Sequence, residues 1–196
     1  MINWLIFNIQ IVNFFYALSG LIMLGLFAIL VFDYYFNTQK IYRSFVSAHI
    51  WVILMLVTIG ATATTLLYSE VFGFVPCSLC WLQRVALYPQ VLLVLAAWRV
   101  KDVVYFPLYG IVLSSFGFVV AVYHYIDQVV AQQLQGTDGA SILPCLADGT
   151  ADCSKRIIDV FGWITFPFLS AGLFAFLIIL YIHLRTKRES DDVEIK

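Results

Sequence analysis

The chain has 196 residues, 62% of them hydrophobic and only 12% charged, and its mean hydropathy is +0.92. That is too apolar for a soluble domain of this size. A net charge of −1 gives no basic surface for nucleic acid, so the expectation is an integral membrane protein forming one compact helical bundle.

A membrane span needs about 20 apolar residues. The first candidate runs from Ile9 to Phe32 and ends in Asp33-Tyr34-Tyr35-Phe36, aromatic residues suited to the headgroup region. The start, Met1-Ile2-Asn3-Trp4, lacks a charged region and does not read as a cleaved signal peptide. A polar link with Lys40 and Arg43 leads to a second span, Phe45 to Tyr68, where Gly60-Ala61-Thr62-Ala63-Thr64 offers small residues for close helix contact. Glu70, read as solvated, precedes the Phe72-Gly73-Phe74 turn.

The third span, Leu79 to Trp98, opens on Pro76-Cys77-Ser78-Leu79-Cys80-Trp81-Leu82-Gln83-Arg84, and Pro89 is expected to kink it. Cys77 and Cys80 are three apart, so on a helical turn both sulfurs share one face. Pro76 needs no amide partner at a helix start, and the positive end of the helix dipole favours a thiolate there. Arg84, four residues after Cys80, adds a positive charge beside what reads as the deeper sulfur. Arg99 and Lys101 close this span.

The fourth span runs from Val103 to Tyr125, followed by a polar segment from Asp127 to Asp159. Ile126, Val129, Val130 and Leu134 share a helical face, which fits either a short helix on the membrane surface or a continuation of the span. Gly136-Thr137-Asp138-Gly139 breaks any helix, and Cys145 and Cys153 follow. The last span is Val160 to Ile182, and the charged tail from Arg185 onward reads as mobile.

Lys40 with Arg43, Arg99 with Lys101, and Arg185 with Lys187 and Arg188 fall on one side of a five-span chain. The positive-inside rule makes that side cytoplasmic. Lys155 and Arg156 depart from the pattern but lie among Asp148, Asp152 and Asp159. Both cysteine pairs then share the outer, oxidising side, where redox or structural disulfides belong.

With these residues, the chain resembles the DsbB/BdbC family of membrane thiol oxidoreductases. The likeness rests on Cys77-x-x-Cys80 at a helix start, Arg84 four residues on, and Cys145 and Cys153 in a later outer loop. It implies an all-α four-helix transmembrane core at 45–184, with 1–44 as an extra N-terminal hydrophobic helix and link, and 185–196 as a cytoplasmic tail. It further implies an enzyme of the bacterial cytoplasmic membrane that reoxidises a thioredoxin-like, DsbA-type oxidase and passes electrons to ubiquinone or menaquinone, supporting disulfide formation. In that reading Cys145 takes the mixed disulfide, Cys153 resolves it, electrons pass to Cys77, Cys80 contacts the quinone, and Arg84 stabilises the quinone's developing negative charge. His124 is the candidate for a histidine implicated in some members. Gln83 either holds quinone or bonds a neighbouring helix.

Rival readings are a vitamin-K-epoxide-reductase-like enzyme, whose Cys-x-x-Cys normally follows its loop cysteines, and a scaffold with inert disulfides. A disulfide closing so short a loop as Cys77–Cys80 gains little entropy and suits a redox switch better than a staple. A four-thiolate zinc site is disfavoured by the wide second spacing and by the lack of a His beside either pair in sequence, so no metal is expected. His49 and His183 read as interfacial.

Overall fold

The computed structural model describes residues 9–36, 40–133, 153 and 156–194. Its helices are α1 (Ile9–Phe36), α2 (Lys40–Leu66), α3 (Ser78–Val100), α4 (Phe106–Gln133) and α5 (Phe166–Glu194), with a π-helical turn, Leu67–Val71, continuing α2. Among the described residues, 5 helices are long and apolar enough to cross a membrane, Ile9–Asp33 included. The protein is thus an all-α membrane protein, a four-helix core with an additional N-terminal helix.

The seam between α4 and α5 fixes the bundle's register. Gly110 and Gly117 lie two turns apart on α4 and face Tyr181 and Phe174 on antiparallel α5. A Cβ on Gly117 would stand 2.4 Å from the Phe174 ring, and one on Gly110 would stand 2.5 Å from the Tyr181 ring. In lipid there is no hydrophobic drive between helices, so close backbone approach of this kind, with its dispersion contacts, holds them together. Of the expected small-residue stretch 60–64, Ala61 packs against the core, whereas a Cβ at Gly60 would meet nothing within 4 Å.

One buried polar cluster crosses the core. Gln90 of α3 accepts from Tyr181 Oη of α5 at 2.8 Å and from Ser114 Oγ of α4 at 3.3 Å. Its own amide donates to the Ala86 carbonyl at 2.9 Å. A satisfied cluster costs little in a low-dielectric core and admits few alternative registers. Helix α3 runs on through Pro89 as a single element.

Helix α1 packs along α5, with Gly20 against Leu169 and Gly172 against Leu24. At its N-terminal end Asn13 donates to the Ile157 carbonyl at 3.4 Å and accepts from Tyr68 Oη. The extra helix is therefore tied to the segment that leads from Cys153 into α5.

Two boundaries of α5 differ from expectation, and one open choice is settled. Helix α4 continues to Gln133 rather than stopping at Tyr125, which settles the choice between a surface helix and an extended span. Residues 160–165 do not begin α5. They form a tight turn in which Val160 and Ile164 exchange backbone hydrogen bonds at 3.1 Å, with Phe161 and Gly162 at φ 58° and 77°. Helix α5 persists to Glu194 through the charged stretch expected to be mobile, a stretch without Gly or Pro to stop it.

Candidate active site

The site lies at the end of the bundle where α3 begins, α4 ends and the chain approaches α5. Cys77 is the N-cap of α3, in extended conformation at φ −70° and ψ 169°, and its sulfur accepts from the Cys80 amide at 3.2 Å. A sulfur thus takes the place usually held by a Ser or Asp oxygen, satisfying an otherwise orphaned amide. Pro76 sits just outside the helix, where no donor is missed.

Cys77 and Cys80 are free thiols. Cys77 is the more enclosed, at 5% exposure, whereas Cys80 is half-buried. The capping position places Cys77 against His124 of α4, and Cys80 lies one turn further along α3.

The Cys77 thiol is pushed down to about 5. The largest cause is the hydrogen bond from the Cys80 side chain. Burial works the other way, while a hydrogen bond and charge from His124, and the Cys80 amide, favour the thiolate.

His124, on α4 and 3% exposed, is the hub of the site. Its Nε2 lies 3.9 Å from Cys77 Sγ and 3.1 Å from the Cys153 carbonyl oxygen. Its Nδ1 lies 3.1 Å from Gln83 Nε2. In the uncharged tautomer that accepts from the Gln83 amide at Nδ1, the ring proton sits on Nε2, directed at the Cys153 carbonyl and the Cys77 sulfur. Gln128, one turn after His124, donates to the same Cys153 carbonyl at 3.4 Å.

Cys153 is buried and disulfide-bonded. Its sulfur is 3.9 Å from Ser78 Oγ, so the second pair's sulfur sits against the first turn of α3. Cys145 lies outside the described residues.

Arg84 is only 8% exposed. Its Nη2 donates to the Thr65 carbonyl at 2.9 Å, and its guanidinium lies 5.2 Å from the centre of the Trp81 ring. Thr65 lies just before the π-helical turn, a distortion often found at functional sites; its carbonyl also accepts from Ser69 Oγ at 3.2 Å, and its hydroxyl meets Tyr88 Oη at 3.0 Å. Among the described residues no carboxylate comes within ion-pair distance of Arg84. A buried cation is thus held by a carbonyl and a ring and retains capacity for an anion.

The structure therefore brings Cys77, Cys80, Cys153, His124 and Gln83 together, with Arg84 one turn further along α3. Two residues not singled out in the sequence join them. Gln128 holds the Cys153 carbonyl, and Asp127 is buried beside it with Oδ1 lacking a hydrogen-bond partner among the described residues. The signal for both was available: His124, Asp127 and Gln128 occur at i, i+3 and i+4 at the end of an apolar helix. Of the two histidines expected to be interfacial, His49 is exposed, whereas His183 is buried.

The family model for the disulfide bond formation protein DsbB matches residues 47–184. A probable disulfide formation protein of Oceanobacillus iheyensis is 42% identical over 129 residues, covering 66% of this chain and 82% of that protein. Disulfide bond formation protein C of Bacillus subtilis is 33% identical over 147 residues, 72% of this chain and 92% of its own length. No solved structure matches. Both the family match and the site geometry lead to the same conclusion: the chain belongs to the DsbB family of membrane disulfide bond formation proteins.

Proposed function

We propose that the protein is a protein-dithiol:quinone oxidoreductase of the bacterial cytoplasmic membrane, with its cysteines on the outer face. The observation that carries this reading is the convergence of two sulfur couples. A buried Cys77 sulfur, stabilised as thiolate, lies under the same imidazole that binds the Cys153 backbone. The three basic clusters, near the opposite ends of the helices, support the orientation.

The remaining cysteine, Cys145, is the natural partner of Cys153, since Cys77 and Cys80 are free. A reduced thioredoxin-like partner attacks Cys145 and leaves as its own disulfide, so the Cys145/Cys153 pair gains two electrons and two protons. Cys153, as thiolate, then attacks Cys77 of the Cys77–Cys80 disulfide, and Cys80 leaves and takes up a proton. Cys145 attacks Cys153 in the Cys77–Cys153 mixed disulfide, which restores the outer pair and releases Cys77. A leaving thiol of low pKa favours that closing step, and Cys77 provides it.

A membrane quinone, either ubiquinone or menaquinone, would supply the oxidising power, taking up the two electrons and two protons that the inner dithiol gives up on closing. The residues fit such a group. Arg84 is a buried cation with no carboxylate partner among the described residues, and Trp81, Leu82 and Val85 beside it are exposed apolar side chains on α3. Arg84 would hold the quinone oxygen, and the Thr65 carbonyl keeps the guanidinium in place. Gln83 acts through His124 rather than at the quinone.

The test is oxidation of a reduced thioredoxin-like protein by the purified enzyme with quinone. Serine at any of Cys77, Cys80, Cys145 or Cys153 should abolish turnover. Arg84→Ala should raise the quinone concentration needed for half-maximal rate more than it affects partner oxidation at saturating quinone. Full-rate oxidation by the Cys145→Ser/Cys153→Ser variant would overturn the relay.

A further inference from the structure

We propose that the reduced site is also a zinc site, with Cys77 Sγ, Cys80 Sγ and His124 Nε2 as three ligands and a fourth position left open. One ligand atom of each residue lies within 4.8 Å of the others, and the Cys77 Sγ to His124 Nε2 distance is 3.9 Å. In a tetrahedral site with usual zinc–sulfur and zinc–nitrogen bonds, sulfur and nitrogen ligands stand about 3.6 Å apart. The Cys77–His124 pair needs a contraction of only a few tenths of an ångström, and the remaining pairs one of at most about an ångström.

The chemistry also fits. Two thiolates and a neutral imidazole cancel the charge of a divalent zinc ion, which suits an enclosed site. The reaction is Zn²⁺ plus two thiols giving a zinc dithiolate and two protons, with no electron transferred. The Cys77–Cys80 disulfide has no thiolate to offer, so oxidation destroys the site. Zinc binding and dithiol oxidation are then mutually exclusive, and zinc holds the enzyme in its reduced form.

His124 also has the outer hydrogen bond that metal-bound imidazoles use. A metal on Nε2 requires the ring proton on Nδ1, and Nδ1 faces the Gln83 amide at 3.1 Å. Turning that amide presents Oε1 as the acceptor. Such partners typically change metal affinity by about 10–100-fold. The same step takes Nε2 away from the Cys153 carbonyl, leaving Gln128 to hold it.

This inference does not depend on quinone use, and its test does not measure turnover. Purified full-length protein, reduced and anaerobic, is titrated with zinc against a chromophoric chelator, and the zinc shell is read by X-ray absorption. One zinc per reduced chain is expected, with two sulfurs and one nitrogen from protein, and none after the inner pair is oxidised. Cys80→Ser and His124→Gln should each weaken binding at least tenfold. Gln83→Leu should weaken it about 10–100-fold, and Gln83→Glu, which supplies an acceptor, should restore it. The Cys145→Ser/Cys153→Ser variant should bind as well as the parent chain. Undiminished binding in His124→Gln, equal binding to oxidised protein, or loss of binding in the Cys145→Ser/Cys153→Ser variant would each overturn the proposal.

Discussion

Replacing His124 with Leu keeps most of the side-chain volume but removes the one imidazole that faces Cys77. The sulfur retains the Cys80 amide at 3.2 Å and the Cys80 side chain. It loses a contact whose 3.9 Å length places it at the weak end of charge-assisted bonds, worth about 1.5 kcal/mol. One pKa unit is about 1.4 kcal/mol, so the Cys77 thiol should rise by about one unit from its value of about 5. The reactive species is the thiolate, so the pH midpoint for alkylation should move upward by the same amount. At pH ~5.5 the thiolate fraction falls from about three quarters to about one quarter, a roughly threefold slowing, whereas above pH ~8 the rates should coincide. The assay is iodoacetamide labelling of reduced protein across pH, with Cys77 resolved from Cys80 by fragment mass spectrometry. An unmoved midpoint would show that the imidazole does not support the sulfur.

The helix seam and the pH dependence of stability give further tests. Gly117→Ala should lower the thermal midpoint in detergent by an overpacking cost of about 1–3 kcal/mol, because the added Cβ meets the enclosed Phe174 ring. Gly20→Ala should be much milder, since the atom it meets is the end of the Leu169 side chain, which can swing aside; equal costs would refute the seam as the fixed register. The Cys77 thiol is depressed on folding from an ordinary value near ~8.5 to about 5. Its stabilisation of the reduced protein is therefore full above the unfolded value and is lost as pH falls through the folded one. The difference in thermal midpoint between reduced parent and Cys77→Ser should shrink steadily from pH ~8 to pH ~5, and a gap that widens on acidification would contradict the thiolate.

Local chemistry was legible in the sequence and long-range geometry was not. The Cys77–Cys80 spacing, Pro76 and the offset to Arg84 act within one or two turns of one helix, so the chain order displays them. The role of His124 depends on contact with Cys77, 47 positions away. Its approach is set by the register of α4, which follows from Gly110 and Gly117 meeting Tyr181 and Phe174. Nothing in the sequence near His124 marks that register, and its packing against α3 is what matters. The continuation of α4 to Gln133 follows from the lack of Gly or Pro between Tyr125 and Gln133, a stop-signal argument that outweighs the polarity of the segment. The tie from Asn13 to Tyr68 and Ile157 joins parts of the chain that no local pattern relates.

The meeting of the two cysteine couples is tested most directly in the Cys80→Ser/Cys145→Ser protein, which retains only Cys77 and Cys153. With Cys153 Sγ at 3.9 Å from Ser78 Oγ and His124 bridging Cys77 to the Cys153 backbone, mild oxidation in the membrane should join the two sulfurs within each chain. Peptide mass spectrometry should find the Cys77–Cys153 disulfide as the main product. Two thiols that stay reduced, or that link only between chains, would contradict a shared site.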